Sequence, residues 1–413
     1  MRFESRSDLS ASISPAAIEA LNWVRGLAAL VVLIGHVRGM FFVGRVRQSS
    51  PLCHAAYFAT NFAHQAVVVF FVLSGLLVGT SVVESSRAGE WSFGRYASRR
   101  LTRLYVVLVP ALALTFAWDT LGIHLFGTNG VYGGRPPAKF FGVPDVPPTL
   151  TPQSLLGTLA FVQGIYMQPF GANDPLWTLA FEFWSYALFP LLFRAKAGTE
   201  RRWVRALFAA IAAAILAAGG RLLWSCYAQW SFGAALAILW ASARTAFPAW
   251  RGRDGLAAMV FTGCVLVSRC RVFHERTVED LVLAAGTALF FGAVLARGEA
   301  LRATEHDAAR SSPEPVGRIA GRLERSSTWG ARLAGFAFTL YVAQYPILIF
   351  LNAWLVGRRR WEPDLRHAAF AFLIGACVTM YAFVLSRFTE ARTASVRRWF
   401  ERRMPGLAGR TAS

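Results

Sequence analysis

Ten long apolar segments follow one another along the chain and are separated by polar connections. They cover residues 18–43, 60–83, 101–126, 176–194, 203–219, 222–241, 254–269, 278–296, 332–356 and 367–388. A helix needs about 20 apolar residues to cross the hydrocarbon core of a bilayer. Because backbone polar groups in lipid must be satisfied within the protein, the pattern predicts an all-α, polytopic membrane helical bundle of about ten transmembrane helices. The segment 254–269 is the shortest, and the apolar run 153–168 could be a re-entrant or interfacial helix.

The composition agrees with this prediction. Of the 413 residues, 55% are hydrophobic, 14% are aromatic and only 16% are charged, and the mean hydropathy is +0.41. So few charged side chains cannot cover a water-soluble surface of this size. The protein is therefore predicted to be an integral membrane protein.

The placement of the basic residues predicts the orientation. The net charge of +20 could suit a nucleic-acid partner, but cytoplasmic loops of membrane proteins are also enriched in Lys and Arg. With the N-terminus inside, the inner segments hold 29 of the 43 Lys and Arg residues, the outer segments hold 13, and Arg25 lies within the first span. We therefore predict that both termini are cytoplasmic, that the basic excess faces membrane lipids and soluble anions, and that nucleic acid is no partner.

The polar segments suggest how the chain is organised. Residues 1–17 are predicted to be a cytoplasmic segment, 18–390 the transmembrane domain and 391–413 a basic cytoplasmic tail. Residues 127–152 are rich in Gly and Pro, so they should not continue a helix; they are predicted to form a long outer loop, either a binding lid or a plain connector. Residues 297–331 are polar and of mixed charge, which favours a flexible cytoplasmic linker. The first apolar segment is long and carries ionisable groups, so it is not expected to be a cleaved signal.

The cysteines do not predict a metal site. The chain has five, without the CxxC or CxxH spacing that holds zinc. We interpret them as apolar core residues. Cys53 and Cys270 both fall on predicted outer segments, where a disulfide could form.

The first span carries two ionisable side chains, Arg25 and His36. Such groups are costly at membrane depth and are therefore functional candidates. In one α-helix, eleven residues turn by roughly 1100° and rise by about 16 Å, so the two side chains share a face at different depths. This spacing favours a polar pathway to which both side chains contribute. The simpler alternative is that His36 is a structural hydrogen-bonding residue.

The second and third spans add two further patterns. Gly75 and Gly79, at positions i and i+4, allow a neighbouring helix to approach closely. Arg100 and Arg103, at positions i and i+3 near the cytoplasmic mouth of the third span, share one helical face and could bind phosphate oxygens. The alternative for this pair is topological, because arginines are expected at an inner membrane boundary.

The fourth span contains a carboxylate among aromatic residues. Pro175 fits a helix start, with Asn173 or Asp174 as its cap. Glu182 follows about two turns later, and a buried carboxylate must either pair or take up a proton. Counted from the outer ends of their spans, His36 and Glu182 lie at similar depth, which permits a contact. Such a contact would fix the imidazole tautomer and stabilise its protonated form, as a general base requires.

Four of these motifs together resemble a known family. They are Arg25 to His36, Phe70 to Gly75, Arg100 to Tyr105 and Pro175 to Glu182, in that order. The chain resembles the acyltransferase-3 family of integral membrane O-acyltransferases over residues 20–390. The resemblance implies a ten-span core that moves an acyl group, usually acetyl, from a cytoplasmic coenzyme A thioester to a hydroxyl of an envelope or exported carbohydrate. It also implies residence in a bacterial inner (plasma) membrane.

The resemblance also implies roles for individual residues. His36 matches the essential histidine of the family, and Arg25 matches its partner. Arg100 and Arg103 match the arginine pair attributed to the acyl-CoA side, and Glu182 matches the glutamate after the Trp motif. The implied co-substrate is acyl-CoA, most often acetyl-CoA, the implied acceptor is a carbohydrate or glycolipid, and no metal is implied.

Several positions depart from the family pattern. The family often has a Gly and a polar residue before Phe70, whereas this chain has Ala66 and Val68. It often has a histidine where this chain has Gln344, two residues before a proline, and glutamine cannot carry a proton charge. His36 is therefore the principal base candidate. Glu390 resembles a C-terminal family glutamate, although it could instead pair with a neighbouring arginine.

The sequence thus predicts a membrane O-acyltransferase with His36 as its general base. An alternative from another class is a transporter or flippase for a lipid-linked glycan, in which Arg25, His36 and Glu182 form a substrate or proton relay. Coenzyme A binding discriminates between the two, because a transporter has no reason to bind it.

Overall fold

A computed structural model describes residues 12–44, 50–134, 145–242, 252–273, 275–311, 317–356 and 359–403. Within these ranges the protein is helical, with three isolated β-bridges and no longer strand pairing. The helices are α1 (Pro15–Phe41), α2 (Pro51–Ala59), α3 (Ala63–Arg87), α4 (Phe93–Phe126), α5 (Pro152–Leu159), α6 (Trp177–Ala197), α7 (Arg202–Ser242), α8 (Asp254–Cys270), α9 (Arg276–Ser311), α10 (Gly317–Leu355), α11 (Leu365–Phe388) and α12 (Thr393–Arg403). Short 3₁₀ turns cover Pro147–Thr149, Asp174–Leu176 and Glu390–Arg392.

Eight helices of the described chain are long and apolar enough to cross a membrane. The difference from ten has two sources. The 41-residue helix α7 is kinked at Gly220, where φ is 63°, a conformation that glycine adopts at no steric cost. Its two halves correspond to the predicted spans 203–219 and 222–241. Helix α8 has 17 residues, and its length of about 26 Å is just short of a typical hydrocarbon core. The prediction of an all-α, polytopic membrane bundle is confirmed.

The connection between α4 and α6 contains no spanning helix. Helix α4 ends at Phe126, and Gly127 follows with a φ of 66°. As expected from its glycines and prolines, 127–134 forms turns, and the rest of that segment up to 144 lies outside the described residues. The apolar run 153–168 contains only α5, which has eight residues. It therefore does not cross the membrane.

The segment 297–331 differs from the prediction of a flexible linker. Its backbone is helical at 297–311, as the end of α9, and at 317–331, as the start of α10. The physical reason is that the segment contains six Ala, six Arg and four Glu residues, and these residue types favour helices. Residues 312–316 lie outside the described residues.

The chain divides into two compact units. The first contains Met1–Ala28, Gln65–Trp91 and Ser185–Gly335, and the second contains Ala29–His64, Ser92–Trp184 and Phe336–Ser413. In the first unit, side chains of α1, α3, α7 and α9 form the apolar core, and α9 packs against α7 and α8. In the second unit, α4 packs against α12 and against the turn Glu390–Arg392.

Two glycines of α3 make the close approach that the sequence predicted. A Cβ atom added at Gly75 would overlap the carbonyl oxygen of Trp230, and one added at Gly79 would lie 2.9 Å from the Cβ atom of Ala237. Both neighbours belong to α7. The absence of side chains at these two positions therefore lets the backbones of α3 and α7 touch.

All five cysteines are free thiols. The structure therefore contains no disulfide between Cys53 and Cys270.

Candidate functional site

His36 lies on α1 and is partly buried in the second unit. Its ring packs edge-on against Tyr345 of α10, with ring centroids 5.0 Å apart and an interplanar angle of 84°. The Nδ1 atom of His36 is buried and has no hydrogen-bond partner among the described residues. The imidazole is therefore held by an aromatic wall and retains hydrogen-bonding capacity at Nδ1.

Helix α1 is continuous from Pro15 to Phe41. Arg25 and His36 therefore lie on one helix. Their spacing of eleven residues places the two side chains on the same helical face, about 16 Å apart along the axis. Arg25 is partly buried and belongs to the part of α1 in the first unit.

Two tyrosines one turn apart on α10 meet the segment that begins α6. The hydroxyl of Tyr341 lies 2.8 Å from Oγ1 of Thr178 and 3.4 Å from the carbonyl oxygen of Pro175. The carboxyl group of Asp174 interacts electrostatically with both Tyr341 and Tyr345. The segment Asp174–Leu176 is thus fastened to the helix that carries the aromatic wall of the imidazole.

A buried polar cluster fixes the residues just before this turn. The side-chain nitrogen of Asn173 donates to Oγ1 of Thr115 at 3.2 Å and to the carbonyl oxygen of Val342 at 2.9 Å. The backbone N–H of Ala172 donates to Oδ2 of Asp119 at 2.7 Å. Oδ1 of Asn173 and Oδ1 of Asp119 are buried without a partner in the described part of the chain. Asn173 occupies the cap position as predicted, but its side chain makes no capping hydrogen bond, because the amide is used between helices instead.

Glu182 is partly buried on α6 and interacts electrostatically with Tyr341. His36 packs against Tyr345, which lies one helical turn after Tyr341 on α10. The contact between His36 and Glu182 that equal depth permits stays a prediction.

Gln344 precedes Tyr345 on α10 and is fully buried. Neither its amide nitrogen nor its amide oxygen has a hydrogen-bond partner within the described ranges. A buried amide without partners costs about 1–3 kcal/mol for each unsatisfied group. This position therefore keeps both a donor and an acceptor that a bound molecule or a water could use.

The two arginines of the pair on α4 differ in their exposure to solvent. Arg100 is only 6% exposed and its guanidinium lies over the ring of Tyr96, 5.5 Å from the centroid. Arg103 is partly exposed. The neighbouring Tyr105 donates from its hydroxyl to the carbonyl oxygen of Leu159 at 2.7 Å. Of the two cations, Arg103 is therefore the more exposed.

Glu390 is buried and lies in the turn that packs against α4. Its Oε2 accepts hydrogen bonds from the backbone N–H and the hydroxyl of Thr339, at 3.2 and 3.1 Å. The described residues show no ion pair from Glu390 to Arg387 or Arg392; Arg387 lies over the ring of Phe383 instead. Glu390 therefore fastens this turn to α10.

Ser74 and Ser185 are both buried in the first unit. The hydroxyl of Ser74 accepts from Nε1 of Trp230 at 3.3 Å and donates to the hydroxyl of Tyr186 at 3.2 Å. These bonds give Ser74 a structural role between α3, α6 and α7. Within the described residues, no group of three His, Cys, Asp or Glu side chains could hold a metal ion.

Sequence reasoning did not select three residues of this site. Tyr341 and Tyr345 gave a usable signal, since two tyrosines at i and i+4 within a span place two hydroxyl-bearing rings on one face. Asp119 lies inside a predicted span, and the rule that singled out Arg25 and His36 applies equally to it.

Two known proteins are similar to this chain over about half of its length. It is 29% identical over 201 residues to acyltransferase MdmB of Streptomyces mycarofaciens, which covers 48% of this chain and 45% of that protein. It is 29% identical over 197 residues to nodulation protein 10 of Rhizobium leguminosarum bv. viciae, which covers 47% of this chain and 48% of that protein. The matched region therefore spans about half the length of these relatives. No solved structure matches the chain at a significant level.

The family model described as an acyltransferase domain matches residues 18–386, which is nearly the whole chain. This range contains His36, Glu182 and the arginine pair of α4. The chain therefore belongs to the acyltransferase-3 family.

Proposed function

We propose that this protein is a membrane O-acyltransferase of a bacterial inner membrane. It moves an acyl group, acetyl in the first instance, from cytoplasmic acyl-CoA to a hydroxyl group of an envelope or exported carbohydrate or glycolipid. Family membership and the kinship to acyltransferase MdmB support the reaction class. The environment of His36 supports its assignment as the base. This histidine lies within a membrane span, its ring packs against Tyr345, and its Nδ1 atom has no hydrogen-bond partner among the described residues.

In the proposed reaction, His36 takes the proton of the acceptor hydroxyl. The acceptor oxygen attacks the thioester carbonyl, the carbon–sulfur bond breaks, and the proton passes from the imidazolium to the departing thiolate. General base catalysis of this kind contributes on the order of 10²- to 10⁴-fold to the rate. Tyr345 orients the ring, and Glu182 and Arg25 are the charged residues that we assign to the same reaction.

The donor is proposed to bind at the arginine pair of α4. Arg103 is the accessible cation for the phosphates of coenzyme A, and Arg100 supports it from within the protein. A guanidinium can bind a phosphate through two parallel hydrogen bonds, which gives orientation as well as affinity. The buried amide of Gln344 can hydrogen-bond a reacting group but cannot exchange a proton with it.

The test is the release of free coenzyme A from acetyl-CoA and from a panel of short-chain acyl-CoA thioesters, with purified protein and host envelope glycan as acceptor. The His36→Ala variant is expected to lose at least 10²-fold in acceptor-dependent release while still binding coenzyme A. His124→Ala is the matched control, because His124 is an exposed histidine at the end of α4 and its loss should leave the rate unchanged.

The outcomes separate the competing functions. If His36→Ala transfers acyl groups at the wild-type rate, His36 is not the base. If folded wild-type protein neither binds coenzyme A nor releases it from any thioester, the transporter or flippase with an Arg25, His36 and Glu182 relay becomes the better account. Mass analysis of the glycan after a positive reaction would identify both the acyl group and the acceptor hydroxyl.

A further inference from the structure

Helix α12 follows α11, which is long and apolar enough to cross a membrane, after a short turn. Helix α11 has 24 residues and is about 36 Å long, slightly more than the roughly 30 Å of a hydrocarbon core. The ends of this span therefore lie in the head-group layers. Helix α12 begins five residues after Phe388, the last residue of α11, and five residues reach at most about 17 Å. The start of α12 is thus close to the membrane surface.

Two contacts hold α12 beside the other long helices. In the turn before it, Oε2 of Glu390 accepts hydrogen bonds from the backbone N–H and the hydroxyl of Thr339 on α10. Helix α12 itself packs against α4. No residue of Thr393–Arg403 is buried. The helix is therefore fixed in position while much of its surface stays open to a partner.

This surface carries an excess of positive charge. The segment 387–403 contains six arginines and two glutamates. Glu390 is engaged with Thr339, and Glu401 lies 3.8 Å from the guanidinium of Arg397. The other five arginines are exposed and form no ion pair with any residue that the structure describes. They are Arg387, Arg392, Arg398, Arg402 and Arg403.

Aromatic side chains share the surface with these arginines. Trp399 is 49% exposed, and Phe388 and Phe400 are exposed as well. The guanidinium of Arg403 lies over the ring of Trp399, 4.4 Å from the centroid. Exposed aromatic rings next to arginines are typical of helices that lie in the membrane interface, because the rings enter the apolar boundary while the guanidinium groups reach the head groups.

We propose that the turn Glu390–Arg392 and α12 form a docking surface for anionic phospholipids. The charges are complementary, since each unpaired guanidinium can bind a phosphate through two parallel hydrogen bonds. A basic residue next to a span contributes about five-fold to the affinity for an anionic membrane surface. A phospholipid is favoured over a soluble anion, because α12 begins near the end of a span and exposes aromatic rings that a soluble anion does not use. This inference does not depend on the proposed acyl transfer.

The test uses the full chain in nanodiscs of phosphatidylcholine that contain a small fraction of phosphatidylglycerol. One lipid or the other carries a photoactivatable group next to its head group, and crosslinks are mapped by mass spectrometry. At equal mole fraction, we expect the wild-type segment 387–403 to be labelled about ten-fold or more in favour of phosphatidylglycerol. Raising the salt concentration from about 0.1 to 1 M should reduce this preference, because the Debye length falls from about 10 to 3 Å.

Variants of equal charge change separate a local surface from a general charge effect. Arg398→Gln with Arg402→Gln removes two exposed charges one turn apart on α12, and the lipid preference should fall about ten-fold or more. Lysine at the same two positions keeps the charge and should retain most of the preference. The matched control is Arg201→Gln with Arg202→Gln, which removes two exposed charges at the start of α7 and should leave the labelling of 387–403 unchanged.

Three results would overturn the proposal. Equal labelling of 387–403 by the two lipids in the wild type would show that the surface does not select anionic lipid. The same loss of preference in the α7 control as in the α12 variant would assign the effect to net charge alone. Suppression of the labelling by millimolar coenzyme A would assign the surface to a soluble phosphate. None of these results bears on the proposed acyl transfer, which is measured by coenzyme A release.

Discussion

Gly75→Ala should destabilise the contact between α3 and α7, although it adds only one methyl group. The added Cβ atom would overlap the carbonyl oxygen of Trp230 and would lie 3.1 Å from both the carbonyl carbon of Trp230 and the backbone nitrogen of Ala234. Carbon atoms in contact prefer about 3.5–4.0 Å. Because the neighbours are backbone atoms, no rotamer change relieves the overlap, and the two helices must move apart.

The cost follows from two losses. Overpacking of this kind typically costs about 1–3 kcal/mol. Separation of the helices also weakens the hydrogen bond from Trp230 to Ser74, which is 3.3 Å long and worth about 0.5–1.5 kcal/mol. We therefore expect the free energy of unfolding to fall by roughly 2–4 kcal/mol. The reciprocal variant Gly233→Ala should behave alike, since its Cβ atom would overlap the carbonyl oxygen of Val72.

Reversible unfolding in mixed micelles, followed by circular dichroism as the denaturing detergent fraction rises, measures this free energy. Gly263→Ala is the control, because a Cβ atom there meets open space. That variant should be neutral or slightly stabilising, since alanine is the better helix former by up to about 1 kcal/mol. Equal midpoints for Gly75→Ala and Gly263→Ala would refute the backbone contact between α3 and α7.

Three further predictions concern the site. Tyr345→Leu should lower kcat about 2- to 10-fold, because it removes a ring contact with His36 worth about 0.5–1.5 kcal/mol. Tyr345→Phe keeps the ring and should stay near the wild-type rate. Equal losses of kcat in the two variants would show that the hydroxyl matters instead. A double-mutant cycle of Thr178→Val and Tyr341→Phe should give a coupling free energy of unfolding of about 1 kcal/mol, since the two side chains share one partly buried hydrogen bond of 2.8 Å. Additive effects of the two substitutions would contradict that bond. Arg103→Gln should raise KM for acyl-CoA about ten-fold with Arg103→Lys intermediate, and an unchanged KM would place the donor elsewhere.

Local patterns in the sequence predicted the helices well. Hydropathy located all eight helices of the described residues that are long and apolar enough to cross a membrane, because burial in lipid requires a long apolar segment and an internally bonded backbone. It divided 203–241 into two spans, and the kink at Gly220 lies between them. The i, i+4 glycines of α3 correctly predicted a close helix contact. The polar composition of 297–331 predicted a flexible linker, whereas the backbone at 297–311 and 317–331 is helical. Polar side chains indicate contact with solvent, but they do not determine the backbone conformation.

The sequence by itself identified the apolar segments that are long enough to cross a membrane and the ionisable side chains within them. Only the tertiary structure decided their neighbours. His36 packs against Tyr345 of α10. The depth of a residue in its own span does not reveal such a neighbour, because it contains no information on lateral packing or helix rotation. Contacts of this kind depend on which helix faces are brought together, and a pattern along one chain segment does not contain that information.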